Sequence, residues 1–160
     1  MRVTDKYVFF FGSVFSNFYM PCRVCIDGIE FSSSEQAFMW FKAKYFQDEE
    51  TADEILKTNI PAKAKKLGRK VKNFNTDEWM KVCKVYMKKA CMAKFTQNED
   101  LKKEIIKYKN QKFVEASPYD KIWGVGLGEE DDRILDENNW LGTNFLGQVL
   151  SEIRDELIKS

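Results

Sequence analysis

At Ser32 the hydrophobic pattern of this chain changes period, and that change constrains its fold more than any other feature. Before it, Tyr7 to Phe11 is apolar, Gly12-Ser13 interrupts, and Arg23 to Phe31 alternates around Asp27-Gly28. Those are the signals of short strands and a hairpin turn. After it, apolar residues recur every three and four positions, the period of a helix with one buried face. Ser32-x-x-Glu35 and Ser33-x-x-Gln36 are overlapping capping boxes, which satisfy the free N–H groups of a first helical turn. The first helix therefore starts there and runs through Phe38, Phe41, Lys42 and Tyr45 to about Phe46.

More helices follow. One covers Glu49 to Lys57, and Pro61 suits the first turn of a basic one ending near Val71. Asn75 or Thr76 caps a long helix with Trp79, Cys83, Tyr86, Ala90 and Ala93 in one inward stripe. Glu99 to Tyr108 is another short helix, and Phe113-Val114-Glu115 reads as a strand. The last helix turns Leu146, Val149, Leu150, Ile153 and Leu157 inward. The expectation is an α+β fold: a mainly helical single domain over residues 1–160, with a small antiparallel sheet near the N-terminus. A chain of 160 residues is long enough to bury a real core.

Chemistry is bounded chiefly by what is missing. The chain contains no histidine, which excludes Ser-His-Asp and Cys-His mechanisms, histidine metal sites and an imidazole acid or base. Hydrolysis must then rely on carboxylates, Lys, Tyr or a bound water. Cys22-x-x-Cys25 has half the spacing of a zinc site, but no second such pair follows, so the four cysteines read as structural thiols. No metal and no cofactor is expected. Net charge is +1, so no global field draws in nucleic acid or membrane. Locally the charge is split: Lys63 to Lys72 is basic without an acid, whereas Glu129 to Asp132 is an acidic run. Those segments fit either a polyanion-binding cleft or a solvated helix face and an acidic loop. No leader peptide and no bilayer-length apolar run is seen, which points to the cytoplasm, with no membrane and no obligate protein partner.

Ser117 to Asn144 forms an irregular stretch of about thirty residues, longer than a connection requires. Its Trp123, Trp140 and glycines argue for a binding loop. Glu115 at the strand end, Asp120 and Trp123 place two carboxylates and an indole together, a set suited to cleaving a glycosidic bond. The plain alternative is an Asp cap and a buried Trp. Glu35 and Lys42 lie seven apart on one helix face, roughly 10 Å at 1.5 Å per residue. Glu35 is either the capping acid or a carboxylate held ionised by the helix N-terminus; Lys42 is either solvated or a phosphate ligand and leaving-group acid. Arg69 ends the basic helix, as a surface cation or a fork for phosphate. Asn17, between Phe15 and Phe18, belongs to a turn or fixes a ribose hydroxyl or base edge.

Taken together, several motifs resemble the YbiA-like, or NADAR, family. They are Phe15-Ser16-Asn17-Phe18, Ser33-Ser34-Glu35-Gln36-Ala37-Phe38-Met39 with Lys42-Ala43, Leu67-Gly68-Arg69-x-Val71 and Ala93-Lys94-Phe95-x-x-Asn98. Glu115-Ala116-Ser117-Pro118-Tyr119-Asp120-x-x-Trp123-Gly124-x-Gly126 and Trp140-x-Gly142-x-Asn144-x-x-Gly147 complete the series. The resemblance runs from about Tyr7 to Leu157 and implies the YbiA-like fold and an N-glycosidase activity.

Carried onto this chain, the resemblance implies Glu35, Glu115, Asp120 and Lys42 as catalytic. It implies Asn17, Phe18, Gln36, Arg69, Ser117, Trp123, Gly124 and Asn144 as substrate-binding. Some members have His where Gln36 stands, so here Gln is expected to act as a hydrogen-bonding ligand. The implied substrates are phosphorylated ribosyl or ADP-ribosyl compounds. One class is ADP-ribose on a guanine of DNA, towards which the basic segment tilts the reading. The other is a ribosylamino-pyrimidine phosphate of riboflavin synthesis. A nucleotide reader without catalysis and a purely structural module are the rival classes.

Overall fold

The computed structural model describes residues 1–160. They divide into two compact units, the first made of residues 1–16 and 103–160 and the second of residues 17–102.

Unit 1 is built on a three-stranded sheet. β1 (Arg2–Val3) pairs antiparallel with β2 (Tyr7–Phe10), and β2 pairs parallel with β5 (Lys112–Glu115) in the order β1-β2-β5. All four residues of β2 are buried, as befits a central strand covered on both faces. The antiparallel pairing near the N-terminus is as expected, and the parallel pairing with β5 is an addition to it. It recruits a strand from far along the chain, which no local pattern announces. The strand ends at Phe10, and Phe11 is exposed. Beside β5 packs α6 (Phe145–Lys159), with Leu146, Val149, Leu150 and Ile153 buried as its period requires. Arg154 is buried with them. It donates to the carbonyls of Tyr108 and Gln111, pairs with Asp155 at 2.8 Å and lies over the Phe113 ring, so its charge is offset by a carboxylate, backbone acceptors and a π face.

The acidic run is anchored rather than simply solvated. Arg2 donates to the Glu129 carbonyl at 2.9 Å and pairs with Asp132 at 3.2 Å, while Asp131 caps a 3-10 turn and grips Arg133.

Unit 2 opens with the β3 (Val24–Ile26) and β4 (Ile29–Phe31) hairpin, antiparallel and turned at Asp27-Gly28, both with positive φ as such a turn demands. Helix α1 (Ser34–Tyr45) packs against α2 (Glu49–Leu56), α3 (Pro61–Gly68) and α4 (Thr76–Gln97). Ser33 is the α1 cap, its hydroxyl accepting from the Gln36 N–H at 3.1 Å. Helix α3 stops at Gly68, short of Val71. Lys72 N–H donates instead to the Asp48 carboxylate at 2.9 Å, holding the chain in a loop with Val71 tucked in. Helix α5 (Glu99–Ile106) likewise ends before Tyr108. The α4 stripe is as expected at Trp79, Cys83, Ala90 and Ala93, but Lys94 is buried beside them, completely.

Candidate active site

The sequence-derived residues fall into two sets. In unit 2, Glu35 occupies the first turn of α1 and is 6% exposed. A carboxylate there faces the positive end of the helix dipole. Its N–H donates to the Asn17 carbonyl at 3.2 Å, which fixes the start of the helix. Two turns on, Lys42 is half-buried, and its pKa is lowered from the ordinary lysine value. Loss of hydration is the main cause, Glu35 pulls the other way, and Arg69 adds to the lowering. Glu35, Lys42 and Arg69 therefore form one electrostatic group. Arg69 is the exposed C-cap of α3, and Lys65 one turn earlier places its ammonium 5.8 Å from the Phe18 ring centre. Phe18 is 42% exposed. An acid, three cations and an accessible ring suit an anionic ligand with a flat base.

The amides of Asn17 and Gln36 are engaged by the fold. Asn17 Oδ1 accepts from Ser34 Oγ at 2.9 Å and from Cys91 Sγ at 3.5 Å, and Nδ2 donates to Met87 Sδ at 3.2 Å. Gln36 Oε1 accepts from the Ser32 N–H at 2.6 Å. Its Nε2 donates to the carbonyls of Ile55 and Thr58 at 3.0 and 2.7 Å. Both residues tie α1 to its neighbours.

In unit 1, Glu115 ends β5, and its backbone is extended into the loop by the Val125 N–H bond to its carbonyl. Three further residues expected to act on substrate shape that loop. Ser117 Oγ accepts from the N–H groups of Tyr119 and Asp120, both at 3.2 Å. Asp120 Oδ1 accepts from Ile122 and Trp123 N–H at 2.9 and 2.8 Å. These are the local side-chain turns to which Ser and Asp are suited. Asn144, in the left-handed region at φ 55°, accepts from Glu115 N–H and donates to the Phe113 carbonyl, both at 3.0 Å. Asp120, Ser117 and Asn144 thus act on the backbone. Trp123 is half-buried and meets Phe145 edge-on at 5.8 Å. Gly124 is required sterically, since a Cβ would lie 2.9 Å from the Glu115 carbonyl and 3.0 Å from that of Asp120. A cleft of about 480 Å³ in this unit is bordered by Asn144, Trp140 and the Lys112–Glu137 pair, and Glu115, Asp120 and Trp123 do not line it.

Sequence reading missed Phe74, whose ring lies 4.5 Å from Lys42 Nζ. Its only signal was an aromatic just before the Asn75 cap.

Comparison with known proteins matches the chain to one family. The chain is 41% identical over 171 residues to Protein irg-1 of Caenorhabditis elegans, covering 96% of this chain and 81% of that one. It is 39% identical over 165 residues to N-glycosidase R617 of Acanthamoeba polyphaga mimivirus, covering 96% and 97%. The NMR structure of the E. coli protein YbiA superposes with a TM-score of 0.77 at 28% identity, covering 99% of this chain and 88% of that one. That protein is named an N-glycosidase and is 31% identical over 143 residues, covering 89% of this chain and 80% of its own length. The NADAR domain model matches residues 8–158, across both units and every site residue named above, and the chain belongs to the NADAR family.

Proposed function

We propose that this N-glycosidase hydrolyses a ribosyl C1–N bond, removing ADP-ribose from a nucleobase such as a guanine in DNA. The observation that carries the reading is the Glu35, Lys42 and Arg69 group of unit 2. Glycosidic cleavage passes through an oxocarbenium-like sugar cation. A buried carboxylate at a helix N-terminus steadies that cation or orients the attacking water, and Glu35 fills that role; Glu115 of unit 1 is the alternative carboxylate. Water attacks C1, the C1–N bond breaks, and the base departs with the electron pair and takes up a proton. Lys42 assists that departure or binds phosphate, and its lowered pKa eases loss of a proton. Arg69 holds a phosphate with its fork, and Phe18 offers a face to a base.

Support for a polynucleotide substrate comes from the exposed cations Lys63, Lys66, Arg69 and Lys70 along α3 and its end. The test is turnover of ADP-ribosylated guanine DNA against a ribosylamino-pyrimidine phosphate, with released sugar measured for wild type, Glu35→Gln and Glu115→Gln. Glu35→Gln is expected to lose roughly 10²–10³-fold in kcat on the DNA substrate. Preference for the pyrimidine phosphate would overturn the substrate assignment. Tight ADP-ribose binding without turnover of either compound would make the protein a reader. Full activity in both variants would remove the carboxylates from the mechanism.

A further inference from the structure

The ring beside Lys42 has no part in the reading above, yet the chain goes to some length to place it. Asn73 adopts φ +63° in the loop between α3 and α4, a conformation Asn tolerates better than most residues. Its Nδ2 donates to the Phe46 carbonyl at 3.4 Å, tying that loop to the end of α1. The turn sets the Phe74 ring edge-on to Phe46, with centroids 5.3 Å apart, and leaves it 43% exposed. Over its face, 4.5 Å from the centre, sits the Lys42 ammonium.

Lys42 needs such a partner. The charged groups acting on it are Glu35 from its own helix and Arg69 from the end of α3, and they oppose each other. A four-carbon stem with a strongly hydrated head swings readily into solvent when nothing else restrains it. An aromatic face attracts the ammonium and excludes water from one side of it. We propose that Phe74 is a positioning residue that holds the Lys42 ammonium against its ring face. The role in catalysis rests on Lys42 belonging to the reaction site; the placement itself does not.

The first test therefore uses no substrate. In the ¹³C-labelled full chain, the Lys42 Cε–Hε signal is identified by its loss in Lys42→Arg and followed through a pH titration. The wild-type Hε protons should resonate upfield in the ring current, with a midpoint below that of free lysine. Phe74→Ala should abolish the upfield shift as the ammonium leaves the ring face. Phe74→Leu, which keeps an apolar contact with Phe46, should lose the upfield shift too, and Phe74→Tyr should retain it. An Hε position unchanged in Phe74→Ala and Phe74→Leu would overturn the proposal.

The second test is kinetic, on ADP-ribosylated DNA. Phe74→Ala should lower kcat roughly tenfold with KM nearly constant, as misplacement of a site group does, and Phe74→Tyr should restore it. A raised KM with kcat intact would make Phe74 a stacking platform and sink the positioning role. If wild type turns over no ribosyl substrate while the titration behaves as expected, the substrate reading fails and the placement of Lys42 by Phe74 stands.

Discussion

Gln36 is buried in the first turn of α1, with its carbonyl on Ser32 and its NH₂ shared among the end of α2 and the chain just beyond. Removing that amide leaves buried donors and acceptors without partners, at about 1–3 kcal/mol each. Gln36→Ala should therefore lose about 3 kcal/mol and melt roughly 6–12 °C lower, as scanning calorimetry would record. The cap itself was legible, since Ser33 and Gln36 stand at capping-box spacing and Ser33 does accept from the Gln36 N–H. The destination of the amide was not, because its partners Ile55 and Thr58 lie outside any local window. Asn17 shows the same limit, with partners on α1 and α4. Glu35 and Lys42 were legible as a pair because both lie on one helix, where spacing alone sets the face. Arg69 joins them through packing of α3 against α1, and Phe74 through a loop turn.

Among the elements, the stretch from the end of β5 to the start of α6 is irregular in secondary structure but closely held. Glu115, Lys121, Ile122, Trp123, Gly124 and Val125 carbonyls all accept backbone N–H groups from within it or from the start of α6. Asn144 closes the stretch at both ends, bonding β5 through Glu115 and Phe113. Asn144→Ala would orphan that N–H and carbonyl and force alanine into the left-handed region. The expected cost is about 2–4 kcal/mol, read as a lower urea midpoint, with faster hydrogen exchange at the Glu115 amide. The sequence marked this stretch by its length, its glycines and its two Trp residues, and its limits were close to those observed. Ser117 and Asp120 were harder to read. Each residue type serves equally well as a turn-former or a reacting group, and the difference lies in which backbone N–H groups point at it.

For the molecule as a whole, stability carries a pH signature set by Lys94. Burial lowers its pKa from 10.5 to about 8, with Cys91 and Cys22 acting in the other direction and the Tyr19 and Phe95 rings beside the ammonium. Below pH 8 folded and unfolded chains both hold the proton, and the full cost of burying the charge is present. Between pH 8 and 10.5 the unfolded chain binds more protons than the folded one, so stability rises with pH across that window and levels off above it. Measured against Lys94→Met, which lacks this dependence, wild type should gain about 3 kcal/mol over the window in denaturant titrations. Parallel curves for the two proteins would refute the assignment. No composition or periodicity rule anticipates a lysine in the core stripe of α4, since charged residues normally face water. The helical, α+β character was legible from the change of period at Ser32, whereas the parallel pairing of β2 with β5 was not. That pairing has a consequence for the order of assembly on the ribosome. Residues 17–102 emerge as one uninterrupted stretch and can begin to fold on the nascent chain. Tyr7–Phe10 emerges earlier but must wait for Lys112–Glu115 to be synthesised before its parallel edge is covered. In the meantime an apolar strand is left without its parallel partner, the state in which young chains stick to one another or to chaperones.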